Sequence, residues 1–363
     1  MKKSLLALAI LGSAAGAANA ASSVTMYGRV DVGYEKVTGT ALTQDNNSGL
    51  GQSRFGIKGN EDLGNGLAAT FQLEGRFDAD TGSKTSTNGG TYVDGTGQLV
   101  TVPGQELAFF DREATVGLKG SFGHVRFGRS VSAMDRALGG YAPGERVATT
   151  FDPYASVTRH SNSMFYDFEA NGFNMGFNVA TKGGAFGNTY EGQSQEEIAY
   201  GAHAGYAIGG FRVNAAYQAD NQGIGAFSAL DSTGNISLAD TGFGADKEWG
   251  VGMAYKFNMF EVGGTYAEAK ANGDLTPFDQ KMKTMGGYVT ADVTARDSLY
   301  VRYLEKRLSV NNASLLDTKT KVIAGGYKHD LSKRTSVYFD IARYSASDVK
   351  DSTQYDIAMR HSF

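Results

Sequence analysis

The chain has 363 residues, among them 49 glycines and no cysteine, and its formal net charge at pH 7 is −4. This acidic balance disfavours nucleic-acid binding, because proteins that bind a phosphate backbone are usually basic. Without cysteine the chain forms no disulfide, so its stability does not depend on covalent cross-links.

The N-terminus predicts a cleaved secretion signal. Two lysines precede an apolar run over residues 5–18, which ends in the cleavage motif Ala18-Asn19-Ala20. A transmembrane anchor is the alternative, but the run is shorter than the ~20 residues that a spanning helix needs. Removal of residues 1–20 takes away two lysines and no acid, which leaves 32 basic against 38 acidic residues and a net charge of −6.

Beyond the signal, hydrophobic residues alternate with polar ones, and no apolar stretch approaches the length of a spanning helix. In the clearest segment, Leu67–Asp78, Leu67 and Phe71 share one face while Gln72 and Glu74 share the other. This alternation predicts strands with one apolar and one polar face, as outer-membrane strands and soluble sandwiches both have. Inside a membrane, only a closed barrel of strands satisfies the backbone polar groups.

Short and long links between the predicted strands alternate along the chain. Seven short links are predicted near residues 61–65, 120–122, 171–172, 209–210, 257–259, 293–297 and 330–333. Eight long links are predicted near residues 37–50, 79–106, 131–161, 182–196, 221–246, 271–280, 309–316 and 346–351. The pattern predicts an all-β fold over residues 21–363, a transmembrane antiparallel β-barrel of sixteen strands with short periplasmic turns and long extracellular loops.

Several sequence blocks carry a resemblance to a known family. They include SRFGIKGNEDLGNGLAATFQLE from Ser53, FDREATVGLKGSFGHVRFGR from Phe110, GGYKHDLSKRTSVYFDIARYS from Gly325, and the terminal RHSF. With these blocks the chain resembles the general porins of Gram-negative bacteria, most closely the trimeric porins of beta-proteobacteria. The blocks coincide with strands and short turns and extend from residue 22 to Phe363.

The resemblance implies a homotrimer in the bacterial outer membrane that passes ions and small hydrophilic solutes passively, without chemistry. It also implies contacts with outer-membrane lipid and lipopolysaccharide, and recognition by the barrel-assembly machinery. The strand count agrees independently, because barrels of sixteen to eighteen strands leave an aqueous channel.

The third long link, 131–161, is the candidate constriction loop, which porins fold into the lumen. It carries Asp135, Glu145 and Asp152, and a short helix is predicted over residues 132–138. A solvated external loop is the alternative for any acidic loop. The inward arrangement is the one that the resemblance implies.

Basic residues are expected on the opposite wall. Arg29, Arg54, Arg76 and Arg126 each alternate with apolar neighbours, so all four point inward if the apolar face meets lipid. An arginine facing lipid at mid-depth costs roughly 2–4 kcal/mol, which favours the same orientation. Each could instead be a rim residue or an ion-pair partner.

Acids on one wall and arginines on the other would create a transverse field across the pore. The loop also carries three arginines, which balance its three acids: Arg136, Arg146 and Arg159. The resulting hypothesis is a weakly selective constriction that leans towards anions.

The aromatic residues with outward parity are expected in the lipid band, the interfacial girdles and the trimer contact. They are Tyr27 or Tyr34, Phe71, Phe77, Tyr217, Trp249, Tyr255, Phe257, Phe339 and Phe363. Phe363 also resembles the terminal aromatic residue by which outer-membrane proteins are recognised for barrel insertion. Its alternative role is that of a last lipid-facing side chain.

Other functions find little support in the sequence. The five histidines show no metal-ligand spacing, no dinucleotide fingerprint or G-x-S-x-G elbow occurs, and neither a metal, a cofactor nor catalysis is predicted. An outer-membrane esterase or phospholipase stays a minor alternative. Two others are a sugar-selective channel, for which Tyr338 and Tyr344 have inward parity, and a secreted β-rich adhesin.

Overall fold

The computed structural model describes most of the chain beyond its N-terminal segment. The described ranges are 22–45, 52–84, 90–93, 99–102, 108–146, 152–181, 198–220, 245–271, 279–311, 317–347 and 349–363. The predicted signal peptide, residues 1–20, and large parts of the predicted long links lie outside these ranges. In the described part, no helix is long and apolar enough to cross a membrane.

Sixteen long strands form a closed antiparallel barrel, as predicted. In chain order they are β1 Ser23–Val37, β2 Arg54–Gly64, β3 Leu67–Asp78, β4 Glu113–Gly120, β5 Gly123–Val131, β6 Arg159–Ala170, β7 Phe173–Ala180, β8 Ala199–Ile208, β9 Phe211–Ala219, β10 Lys247–Phe257, β11 Phe260–Ala271, β12 Gln280–Asp292, β13 Asp297–Val310, β14 Thr318–Asp330, β15 Thr335–Ala346 and β16 Val349–Ser362. Each strand pairs with its neighbours in the chain.

The barrel closes where β1 pairs with β16. The register runs from Arg29 opposite Ser362 to Val37 opposite Gln354. The backbone of Phe363 continues this ladder, since it exchanges two hydrogen bonds with Gly28, of 3.0 and 3.1 Å. Closure leaves the barrel no open sheet edge, which a membrane requires.

In the described residues, four short strands belong to the long links. Leu42–Asp45 and Ser83–Lys84 pair with β1 and β3, and Gly90–Val93 pairs with Leu99–Val102. All four lie within the first two long links, so they elaborate one rim of the barrel.

The predicted short links are confirmed, and their sequences explain how they turn. Asn65-Gly66, Asn171-Gly172 and Gly209-Gly210 all have positive φ at both positions, between 52° and 88°. Two consecutive residues of this kind make the tight hairpin turn that matches the twist of paired strands. All seven short links therefore sit at one rim.

The last predicted long link, 346–351, is wrong. Strand β15 extends to Ala346 and β16 starts at Val349, so two residues separate them. An ion pair of 2.7 Å between Arg343 and Asp351 joins the strands close to this tip. The pairing thus persists where the polar composition indicated a loop.

The two faces of the barrel follow the predicted alternation. Outward apolar side chains remain exposed in the isolated chain, among them Met26, Val116 and Ile357 at 61–63 %. Tyr34 is one of the outward aromatic residues, whereas Tyr27 points inward and accepts a hydrogen bond from Gln72.

Outward aromatic residues form a girdle near each rim. At the long-loop rim the rings of Trp249 and Tyr266 lie 5.5 Å apart, and at the short-turn rim Phe257 stacks with Tyr255 and contacts Phe260. The apolar band between the girdles is the surface that meets lipid.

Candidate functional site in the barrel lumen

Three of the four predicted arginines lie side by side on the inner wall. Arg29 pairs in register with Arg54, and Arg54 pairs in register with Arg76. Neighbouring strands are about 4.8 Å apart, so three positive side chains stand at one level across β1, β2 and β3. Arg54 and Arg76 keep about a fifth of their side chains exposed, at 19 % and 20 %, so they contact the lumen.

Three further arginines extend this row. Arg112 lies just before β4 and donates its backbone N–H to the carbonyl of Glu74. Arg129 and Arg159, at the adjoining ends of β5 and β6, interact electrostatically with each other. Arg129 also interacts with Arg76, and Arg159 with Arg54. We call these six residues the arginine wall: Arg29, Arg54, Arg76, Arg112, Arg129 and Arg159.

Few acids face the arginine wall. Glu74 pairs with Arg54 at 3.7 Å and with Arg112 at 2.5 Å, and Asp111 pairs with Arg76 at 2.5 Å. Two further described acids are in electrostatic contact with the wall, Glu113 with Arg129 and Asp31 with Arg29. Six arginines against these four acids, of which Asp31 also pairs with Arg146 and Arg360, leave a positive excess on this wall.

The arginine wall stays charged at neutral pH. Burial, together with the neighbouring Arg159, lowers the pKa of Arg112 below its ordinary value. Arginine side chains stay protonated in proteins at neutral pH, so burial does not remove this charge.

Arg126, the fourth predicted arginine, has the predicted inward parity but lies apart from the wall. Its guanidinium pairs with Asp167 at 2.6 Å and donates to Ser130 at 2.9 Å, and the residue is 7 % exposed. It is therefore a buried ion-pair partner, which was the alternative reading of this residue.

The third long link lies against the inner face of the barrel. We call residues 132–158 the inner loop; its residues 147–151 lie outside the described ranges. The predicted helix is confirmed as α1, Ala133–Leu138, which starts at Ser132, whose hydroxyl accepts the N–H of Asp135. The backbone N–H of Met134 donates to the inward side chain of Gln218.

Small residues in the wall allow α1 to approach it closely. A Cβ at Gly250 would lie 2.6 Å from Leu138, and one at Gly252 would lie 2.7 Å from the ring of Tyr141. Larger residues at these positions would therefore push the inner loop into the lumen. The helix covers β8, β9 and β10, on the side of the barrel across from the arginine wall.

The far end of the inner loop is held by a buried charged cluster. Arg146 is fully buried and pairs with Asp31 of β1 at 3.3 Å and with Asp356 of β16 at 3.1 Å. Asp340 of β15 accepts the backbone N–H groups of Glu145 and Arg146, at 3.2 and 2.7 Å. We call Arg146, Asp31, Asp340 and Asp356 the latch.

The charge balance of the loop differs from the one expected from the sequence. Arg146 was expected to offset the acids of the constriction, but it is fully buried, and its charge is offset by Asp31 and Asp356. Arg159 belongs to β6 and to the arginine wall. Arg136 lies on the inner loop, but the acid that it approaches, at 3.8 Å, is Asp167 of β6.

The three predicted acids are spread along the inner loop rather than gathered in one place. Asp135 accepts a hydrogen bond of 2.7 Å from Tyr154, whose pKa is raised well above its ordinary value by burial and by Asp135 itself. Glu145 pairs with Arg360 at 2.5 Å. Asp152 interacts electrostatically with the buried Arg302 of β13.

Sequence reasoning missed Arg112, Arg129 and Arg360. Arg112 lies in a loop, where alternation gives no direction. Arg129 has outward parity by counting, yet it follows Gly128, whose φ of 124° interrupts the alternation, and it donates to Ser161 at 2.7 Å. Arg360 shares the inward parity of Ala358, so the pattern of β16 could have indicated it.

Comparison with known proteins places the chain in a family. The family model described as "Gram-negative porin" matches residues 7–349. The chain is a Gram-negative porin. It is 31 % identical to Outer membrane porin protein 32 of Delftia acidovorans over 359 residues, which cover 94 % of this chain and 89 % of that protein.

Solved structures are similar over nearly the whole porin. The anion-selective porin from Comamonas acidovorans is 23 % identical, with a TM-score of 0.67, and 94 % of this chain covers all of that one. OmpT of Vibrio cholerae, described in a trimer form, is 17 % identical with a TM-score of 0.66 and the same coverage. At these identities the likeness shows the fold alone.

Family and fold together establish what the porin does. It resides in the outer membrane of a Gram-negative bacterium as a β-barrel and forms a water-filled channel for passive diffusion of ions and small hydrophilic solutes. Members of this family are channels rather than enzymes.

Proposed function

We propose that this porin prefers anions, and that the arginine wall causes the preference. The supporting observation is the in-register row of Arg29, Arg54 and Arg76 on three adjacent strands. Like charges side by side on a wall create a positive potential that concentrates anions in the water next to it. The low-dielectric barrel limits screening at this point.

The predicted site residues have different roles in this anion preference. Arg54 and Arg76 contact permeating anions, and Arg29 contributes its charge from the end of the same row. Glu145 and Asp152 lie on the inner loop and moderate the field, while Asp135 and Arg126 hold the surrounding structure through Tyr154 and Asp167.

The arrangement of the inner loop supports this assignment. The loop crosses from β8–β10 to the latch on β1, β15 and β16, which leaves the arginine wall uncovered by α1. The relative from Comamonas acidovorans, which has the same fold, is described as anion-selective.

The test is a reversal potential across a planar bilayer of neutral lipid with a KCl gradient. We expect wild-type protein to favour chloride, and Arg54→Gln combined with Arg76→Gln to lower the anion-to-cation permeability ratio about threefold. Removal of two positive charges from the wall reduces the local anion concentration.

The matched control removes two positive charges from the outer surface, by Arg307→Gln with Arg343→Gln. Both residues share the outward parity of exposed Val301 and Ile341. The control is expected to keep the wild-type ratio. Identical reversal potentials for the lumen variant and wild type would contradict the role of the arginine wall.

We also propose that the porin assembles as a homotrimer. Exposed outward apolar side chains on β1–β5, such as Met26, Val116 and Phe127, offer a contact surface, and OmpT of Vibrio cholerae has a trimer form. Light scattering in detergent is expected to give three chains per particle. A monomer that conducts with full selectivity would contradict the trimer.

Two further proposals follow from the outer-membrane location of the porin. We propose that residues 1–20 are removed during export and that Phe363 is the signal for the barrel-assembly machinery. The ring of Phe363 is 46 % exposed at the end of β16, so a partner can reach it. Phe363→Ala is expected to lower the yield in the outer membrane, and an unchanged yield would contradict this role.

The alternative of a sugar-selective channel depends on exposed inward aromatic residues. Tyr338 and Tyr344 point inward, as predicted, but they are only 2 % and 4 % exposed. Tyr338 donates to Asp31 of the latch. These rings therefore support the inner wall. The proposed function remains that of a general channel that performs no chemistry.

A further inference from the structure

A cavity of about 580 Å³ lies on the inner wall of the barrel, between α1 and the short-turn rim. The helix contacts β8 at Gly201, where a Cβ would lie 2.9 Å from Ala133, and the cavity occupies the wall below this level, down to the turn Asn171-Gly172. We call this cavity the lower pocket. Its polar side chains come from α1 and from β6–β9: Arg136, Asp167, Glu169, Asn174, His203 and Asn214.

The strand register brings polar side chains together at the floor of the lower pocket. Glu169, Asn174, Gly205 and Asn214 lie opposite one another on β6, β7, β8 and β9. A Cβ at Gly205 would overlap the side chain of Asn214 and would lie 2.8 Å from the side chain of Asn174. Because glycine has no side chain, the two amide groups fit together over this position and form the floor.

Arg136 is the positive group of the lower pocket, and its guanidinium donates no hydrogen bond to a described residue. The acid next to it, Asp167, lies 3.8 Å from its Nε, which is beyond hydrogen-bond distance. Asp167 instead forms the 2.6 Å ion pair with Arg126. The side chain of Arg136 is 39 % exposed, so a solute in the lumen can reach its free donors.

Glu169 is the negative group at the other end of the lower pocket. It is exposed near the end of β6, and no basic residue of the described ranges forms an ion pair with it. His203 interacts electrostatically with both Arg136 and Glu169. The two opposite charges therefore flank one cavity, and each lacks a close partner of its own.

The separation of the two charges suits a short dipolar molecule. Asp167 and Glu169 are two positions apart on β6, which is about 7 Å along the strand. Arg136 lies 3.8 Å from Asp167, so the opposite charges are on the order of 10 Å apart. A charge-assisted hydrogen bond of about 2.8 Å at each end leaves a gap that a monatomic ion does not fill.

We propose that the lower pocket binds amino acids as zwitterions while they diffuse through the channel. The guanidinium of Arg136 donates hydrogen bonds to the carboxylate, the ammonium group donates to Glu169, and the amides of Asn174 and Asn214 contact the polar atoms between them. A simple anion would meet Glu169 and a simple cation would meet Arg136, so a molecule with both charges is favoured. The inference depends on the diffusion channel and not on the proposed anion preference.

The first experiment varies the solute. Uptake of radiolabelled L-serine, ethanolamine and 3-hydroxypropionate into porin-containing liposomes of neutral lipid is measured over a range of concentrations. Ethanolamine lacks the carboxylate of serine, and 3-hydroxypropionate lacks its ammonium group. Uptake of L-serine is expected to saturate, with a half-saturating concentration at least fivefold below that of either analogue. Uptake of L-serine in linear proportion to concentration, or an equal or lower half-saturating concentration for an analogue, would overturn the proposal.

The second experiment varies the protein. Arg136→Gln and Glu169→Gln each remove one charge, and each is expected to raise the half-saturating concentration of L-serine at least fivefold. The matched controls are Arg343→Gln on the outer surface and Glu61→Gln, an exposed acid beside a different short turn. A wild-type value in either pocket variant, or an equal rise in its control, would overturn the proposal.

The double variant of the arginine wall separates this proposal from the anion preference. Arg54→Gln with Arg76→Gln is expected to keep the wild-type half-saturating concentration of L-serine, although its permeability ratio for ions falls. A rise as large as in the pocket variants would attribute serine binding to the field of the whole lumen and would overturn the assignment to the lower pocket. Wild-type KCl conductance shows that a pocket variant folds. If a variant does not fold, the solute series on wild-type protein still decides the proposal.

Discussion

Outward basic residues form a second positive surface at the long-loop rim of β10–β15. We call it the basic patch; its members are Lys247, Lys270, Lys281, Lys283, Arg307, Lys319, Lys321 and Arg343. The arginine wall and the basic patch have the same sign of charge but are built differently. The wall consists only of arginines, and acids hold several of them in place, as Asp111 holds Arg76 through its backbone and side chain. Six of the eight members of the patch are lysines. Four of the eight form no ion pair with a described residue. The arginine wall faces the inside of the barrel, and the basic patch lies on its outside.

The difference follows from where each surface lies. A planar guanidinium held by a carboxylate gives a fixed positive field, which a channel needs because ions pass without stopping. A lysine carries its charge on a flexible, strongly hydrated stem, which suits an exposed surface. Side chains alternate between the inner and the outer face along a strand. A shift of the strand by one position would therefore move a residue from one surface to the other.

Loss of the latch is expected to give the largest effect. Arg146→Met removes the buried cation that pairs with Asp356 and one of the two that pair with Asp31, which keeps Arg360 at 2.6 Å. We expect this to cost about 3–5 kcal/mol in the docking of the inner loop. The measurements are protease cleavage within residues 132–158 and the noise of the open-channel current, both of which should rise. Arg146→Met combined with Asp356→Asn is expected to recover part of the loss, and wild-type resistance in the single variant would contradict the role of the latch.

Reversal of charge on the arginine wall is expected to have the next largest effect. Arg54→Glu with Arg76→Glu places two acids next to Glu74 and should shift the anion-to-cation permeability ratio at least tenfold, or about 1.4 kcal/mol. The current should then be carried mainly by cations. A ratio that moves no further than in the double glutamine variant would show that the wall does not set the field.

A conservative change at one arginine should have a small effect. Arg76→Lys keeps the charge but loses the forked contact with Asp111. We expect the permeability ratio to fall about twofold, or about 0.4 kcal/mol, with an unchanged sign. The matched change Arg343→Lys on the outer surface should leave the ratio as it is, and an equal fall in both would attribute the effect to something other than lumen geometry.

Neutralisation of the outer lysines is expected to have the smallest effect on permeation. The triple glutamine variant at Lys270, Lys283 and Lys321 removes three charges, but these lie outside the barrel, so the reversal potential in a neutral bilayer should not change. A shift as large as that of the lumen variants would mean that the two basic surfaces are not separate.

Local sequence patterns predicted most of the fold. The Asn-Gly and Gly-Gly pairs located the short turns, and alternation located the strands and the inward arginines of β1–β3. The last hairpin was mispredicted because Arg343 and Asp351 pair across strands, which the composition of a loop does not reveal.

The site was predicted only in part, for a physical reason. The burial of Arg146 depends on Asp31 and Asp356, which are 115 and 210 positions away in the chain. Contacts of this kind arise from the folding of the inner loop onto the closed barrel. Arg129 escaped prediction because Gly128 interrupts the alternation by which its direction was judged.

The central claim is that the arginine wall makes the lumen positive. The most direct test is the reversal potential of single wild-type channels in a neutral planar bilayer, with tenfold different KCl concentrations on the two sides. We predict a reversal potential on the chloride side of zero. It should shrink as the mean salt concentration is raised, because screening increases. A potential of zero, or one on the potassium side, would contradict the account.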